Sequence, residues 1–220
     1  MKKLMFGNII VMTVTIVLGI TWGKLFKKEY TIQELIEYNM GDSLSHCSYP
    51  QCVIKLLPYD DFSRLEVEKL LPKLQIVFDK WLDGYWKFEV MKPAHLPTSS
   101  YLKERNRYKV TPILNYQLTL LKGKEVIIGL THKDICTNIH GVKDYGIVGI
   151  SRPLKQVCLV SDKRLKDKSL YWKPILHEFI HTFYGAKHCP NDDPTCFMKD
   201  AKGHGDFKIQ DKLCNSCLHQ

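Results

Sequence analysis

Residues 177–189 read HEFIHTFYGAKHC. His177 and His181 are spaced i and i+4, so on a helix both imidazoles leave the same face, one turn apart. Glu178 stands beside the first, placed to reach a water held by a metal rather than the metal itself. The flanking Leu176, Phe179, Ile180 and Phe183 are apolar. This is therefore a helix buried beneath a cleft, not a surface helix with two solvated histidines. Paired histidines and a carboxylate in that setting point to a metal. Gly185 closes the helix, because glycine readily takes the positive φ that turns a chain back at a helix end.

A catalytic zinc takes three protein ligands and leaves a fourth position open. A glutamate from a downstream helix is one solution, but no glutamate follows Glu178. The remaining donors are His188, His204, His219 and several aspartates. His188 is nearest, and the Gly185 turn carries it to the open side of the same ion. Four cysteines remain downstream: Cys189, Cys196 and the C-x-x-C pair Cys214 and Cys217. Two local cysteine grips joined by a linker are how structural zinc is held. Disulfides are the alternative reading if the chain is exported.

Taken together, HExxH, a glycine turn, a third histidine followed at once by cysteine, Cys196-Phe197-Met198 and a later C-x-x-C resemble the archaemetzincins, a branch of the metzincin zinc peptidases. Weaker similarity runs through residues 96–108 (LPTSSYLKERNRY) and 146–165 (GIVGISRPLKQVCLVSDKRL), so the resemblance covers about residues 52–220. It implies a catalytic zinc on His177, His181 and His188 and a structural zinc on Cys189, Cys196, Cys214 and Cys217. It also implies Met198 in a tight turn beneath the first ion, and residues 145–151 as the upper edge of the cleft. Two features depart from the family pattern. Three residues, Thr182, Phe183 and Tyr184, separate His181 from Gly185 where the family has two, and six rather than four separate Cys189 from Cys196. One added helical residue rotates Gly185 by about 100°; a bulge, or a helix ending one residue later, absorbs it.

The expected chemistry is peptide hydrolysis. A zinc on three histidines holds one water and lowers its pKa towards about 7. Glu178 takes the proton as general base and delivers it to the departing amine. Tyr145 and Tyr184 are candidate oxyanion helpers. The alternatives are a non-enzymatic zinc module and a membrane-tethered scaffold inactivated by the extra residue at Tyr184.

Composition fits a globular chain of 220 residues, 45% hydrophobic and 25% charged. The net charge of +9 is spread along the chain, so it reads as a solvated basic surface, and no concentrated patch suggests nucleic acid. Residues 4–23 (LMFGNIIVMTVTIVLGITWG) are uncharged and flanked by Lys2, Lys3, Lys24, Lys27 and Lys28. At 1.5 Å per residue they span about 30 Å, a bilayer core. An uncleaved anchor fits this length better than a cleaved signal, whose apolar region is shorter. The expected location is membrane-anchored with the domain outside the cytoplasm, or exported. The expected partners are a peptide or protein substrate and the membrane, with the chain acting as a monomer.

The expected organisation is an anchor or signal segment (1–28), a connector (29–51) with a short helix at 31–38, and a peptidase domain (52–220) whose residues 189–217 form a small zinc-stapled subdomain. The fold class is α/β, of the metzincin type: a mixed twisted sheet with an active-site helix carrying HExxH. Strands are expected at 52–57, 85–90, 125–130, 145–151 and 156–161, and helices at 63–82, 112–121 and from about 169 to 185. The first helix carries Leu65, Leu70, Leu71, Leu74, Val77, Phe78 and Trp81 on its apolar face, with Pro72 starting or kinking it. Cys47 and Cys52 are close enough for a local disulfide, Cys158 is a buried core residue, and Cys136 is assigned to no metal.

Overall fold

The computed structural model describes residues 51–139, 141–201 and 207–218. The segment 1–28, the connector up to residue 50 with its helix at 31–38 and Cys47, and His204 and His219 lie outside the described residues. Among the described residues, no helix is long and apolar enough to cross a membrane.

The main sheet has five strands in the order β2 (Tyr85–Val90), β1 (Gln51–Pro58), β5 (Val126–Thr131), β9 (Val157–Ser161), β8 (Gly149–Arg152). The first four are parallel, and β8 runs antiparallel along β9 as the edge. Helix α1 (Arg64–Trp81) and the HExxH-bearing helix α3 (Trp172–Tyr184) pack on one face, and α2 (Val110–Leu120) on the other. Side chains alternate across a strand. Ile54, Leu56, Val126, Ile128, Leu130, Cys158 and Val160 therefore meet α1 and α3, while Leu57, Ile127, Val157 and Leu159 meet α2. Covered on both faces, β5 reads as the apolar run VIIGL closed by Thr131, every residue of it buried.

Helix α1 starts at a capping box. The Ser63 hydroxyl accepts the N–H of Glu66, and the Glu66 carboxylate accepts the N–H of Ser63. Pro72 lies inside the helix rather than at its start. The buried positions are Val67, Leu74, Val77 and Phe78. Leu65, expected on the apolar face, is exposed, because Val67 takes the inward position of the first turn.

A second, four-stranded sheet has the order β3 (Tyr101–Leu102), β4 (Arg107–Lys109), β6 (Ile135–Ile139), β7 (Val142–Ile147). The stretch 145–151, expected as one strand, is divided between the sheets. It leaves the small sheet at Ile147 and enters the main sheet at Gly149. Asp134 fastens the small sheet to the loop after β9. Its carboxylate accepts two N–H groups from Arg164 at 2.7 and 2.9 Å and one from Arg107 at 2.8 Å. Cys52, Cys136 and Cys158 are buried thiols on β1, β6 and β9.

Candidate metal centre and cleft

Helix α3 presents His177 and His181 with their Nε2 atoms 3.0 Å apart and their rings nearly perpendicular. Each ring is held from behind. His177 Nδ1 lies 2.7 Å from the carbonyl oxygen of Phe197, and His181 Nδ1 lies 2.6 Å from that of Ala186. A carbonyl only accepts, so both Nδ1 atoms carry the proton and both Nε2 atoms are bare. Two lone pairs facing each other at 3.0 Å repel unless a cation lies between them. A proton does not serve well, because burial pushes His177 down to about 3, aided by the neighbouring His181, and pushes His181 down to about 4. Nitrogens bound tetrahedrally at 2.0–2.1 Å stand roughly 3.3 Å apart, so the pair fits a zinc ion.

Gly185 ends the helix in the left-handed region, φ 67°, with its N–H on the His181 carbonyl at 3.1 Å. The additional residue is taken up by a helix that runs to Tyr184 before this cap. Tyr184 itself is buried against Phe179 and Phe183, away from the cleft, which removes it as an oxyanion helper. The turn brings the His188 ring to 4.7 Å from that of His181 and 5.3 Å from that of His177. One nitrogen from each of the three histidines falls within a common 4.8 Å.

Glu178 is buried between α3 and β8. A Cβ at Gly149 would lie 2.7 Å from its Cγ and 2.8 Å from its Oε1, so the strand passes directly over the carboxylate. Burial pushes Glu178 up to about 8, against the opposing hydrogen bond from Ser151. A cation alongside favours the ionised form. The cleft in front is lined by Tyr145, Ile147, Val148, Pro174, His188, Lys199 and Asp200.

Cys189, Cys196, Cys214 and Cys217 bring their sulfurs within 4.8 Å of one another. All four are thiols. The Cys189 and Cys214 sulfurs are 3.6 Å apart, far beyond a disulfide bond of about 2.05 Å and close to the ~3.8 Å of two sulfurs bound tetrahedrally at 2.3 Å. The Cys196 thiol is drawn down to about 5, chiefly by the hydrogen bond from Cys217, whose own thiol is pushed up in return.

The segment Cys196-Phe197-Met198 touches both clusters. Cys196 belongs to the thiol group, the Phe197 carbonyl orients His177, and the Met198 carbonyl accepts the N–H of Cys189 at 2.7 Å. Met198 is fully buried in the core. Sequence reasoning missed the Phe197 and Ala186 carbonyls, which carry no side-chain signature. It also missed Gly149 and Asp200. Only Gly149 left a trace, as a glycine inside an apolar run.

No family model matches the chain, and no curated protein matches it. Two solved structures share its fold. An archaemetzincin from Methanopyrus kandleri is similar with a TM-score of 0.64 and 24% identity, over 76% of this chain and 92% of that one. An archaemetzincin from Archaeoglobus fulgidus, solved with malonate, is similar with a TM-score of 0.57 and 23% identity, over 75% of this chain and 97% of that one. The fold is archaemetzincin-like.

Proposed function

We propose that this chain, folded as an archaemetzincin-like domain, is a zinc-dependent peptidase. The observation that carries the reading is the pair of bare Nε2 atoms on His177 and His181, each aimed by a carbonyl behind it, with His188 beside them and a buried carboxylate in the same cleft. His177, His181 and His188 would hold the ion. Zinc bound there supplies a Lewis acid that acidifies water and polarises a carbonyl. Glu178 takes a proton from the attacking water and returns it to the leaving amine. Strand β8 ends the sheet, so its outward N–H and C=O groups suit an extended peptide laid along it. The apolar wall from Tyr145 to Val148 keeps water from the reacting bond. The four cysteines hold a second, structural zinc, with Met198 packed beneath the first site. The segment at residues 4–23 anchors the chain in a membrane with the domain outside the cytoplasm, and the chain acts as a single copy.

The direct test is digestion of a peptide library read by mass spectrometry. Cleavage is expected with the zinc-loaded chain, is lost on chelation and returns on adding zinc. A zinc-loaded chain that cleaves no peptide would instead support the inactive scaffold. Gly149→Ala tests the geometry. The new Cβ must displace the Glu178 carboxylate, and a misplacement of about 1 Å can cost roughly 10²-fold in rate. The expected result is kcat lowered by about 10- to 100-fold at unchanged zinc content; an unchanged kcat would remove Gly149 from the site.

A further inference from the structure

The three histidines are not held alike. His177 and His181 each place Nδ1–H on a main-chain carbonyl. Among the described residues, no carbonyl takes this role for His188. Its side chain is 47% exposed, and what faces its Nδ1 is Oδ2 of Asp200, 3.8 Å away. Asp200 lies two residues beyond Met198, so the turn that supplies the Phe197 carbonyl to His177 also carries a carboxylate to His188. With Nδ1 towards Asp200, the opposite ring nitrogen is Nε2, the atom that His177 and His181 present to each other.

We propose that Asp200 is the positioning residue of the third histidine, its carboxylate accepting the Nδ1–H of His188 and so aiming Nε2 at the metal. This rests on the reading of the three histidines as a zinc site. The 3.8 Å separation is about 1 Å longer than a charge-assisted N–H···O bond, a gap that two partly exposed side chains close by small rotations. The carboxylate also offsets part of the ion's charge. Its field already reaches the other two rings, since Asp200 is among the groups acting on both His177 and His181. A ligand left to rotate would cost affinity each time it is recruited, and an outer partner that fixes a ligating histidine is typically worth 10–100-fold in metal affinity.

The test is Co²⁺ titration of the full chain. The two sites are read separately, because thiolate–cobalt charge transfer absorbs strongly in the near ultraviolet and a histidine site gives only weak visible bands. Asp200→Ala is expected to weaken the histidine site by about 10- to 100-fold and to leave the thiolate site unchanged. Asp200→Asn, which keeps an acceptor oxygen, is expected to recover most of the loss. In a His188→Ala background, Asp200→Ala is expected to cost much less, because no ring remains to be aimed and only the charge effect is left. An equal loss in both backgrounds would make Asp200 a general charge effect and overturn the proposal, as would an Asn variant as weak as Ala or no loss at all. If His188→Ala alone leaves the histidine site at full affinity, the ligand assignment fails and the proposal with it. The two failures are thus distinguishable.

Discussion

Glu178→Gln is expected to lower kcat by about 10²–10⁴-fold, the usual contribution of a positioned general base, while zinc binding persists. Glutamine keeps the volume between α3 and Gly149, so the packing at that close approach survives. What is lost is the proton acceptor facing the cleft. The same change carries a second sign. In the metal-free chain, burial raises Glu178 to about 8, so between roughly 4.5 and 8 the folded state binds a proton that the unfolded state has released. By linkage, stability then falls as pH rises through that window. Glutamine has no proton to lose. The metal-free variant is therefore expected to be more stable than the parent at pH 7, by roughly 1–3 kcal/mol, and equal to it below about pH 4. Peptide cleavage, metal content and thermal melting of the apo protein at two pH values check all three statements. Retained turnover would dismiss Glu178 as the base.

Cys217→Ser is expected to lower the melting temperature by about 10 °C or more. Structural zinc contributes strongly to folding wherever its ligands are brought together only in the folded state. Here the ligands come from distant points: Cys189 just past the α3 cap, Cys196 before Phe197, Cys214 immediately before α4 (Asn215–Leu218) and Cys217 within it. Losing one thiolate should weaken the grip by several kcal/mol, and about 1 kcal/mol shifts Tm by 2–4 °C in a chain of this size. The effect should also travel. Cys189 adjoins His188, and Phe197 aims His177 from the segment between Cys196 and Met198. The variant is therefore expected to bind its histidine-site zinc more weakly although no histidine has changed. Melting curves and zinc stoichiometry decide it. A variant with the parent's Tm and two tightly held zinc ions would refute the structural role.

The sequence made helix α3 legible because its message is written in side-chain spacing: histidines four apart, apolar neighbours, a glycine where the chain must turn. The four cysteines were legible for the same reason. The small sheet was not. Strands of two or three residues such as Tyr101–Leu102 and Arg107–Lys109 are too short to show alternation. The break at Val148 lies within YGIVGIS, whose two glycines sit inside strands instead of marking a turn. Leu65 misled because apolar spacing cannot tell which of two neighbouring phases faces the core. Within the site, the partners behind His177 and His181 escaped notice because main-chain carbonyls are the same at every residue.

Main-chain support for two histidines and side-chain support for the third set how the site drifts over generations. No codon change removes the carbonyl oxygens of residues 186 and 197, whatever side chains stand there, so two of the three histidines are aimed by groups immune to substitution. The third faces a side chain, Asp200, that a single missense change deletes. Heritable variation in metal retention should therefore concentrate at residue 200, while positions 186 and 197 tolerate many residues, limited by packing alone.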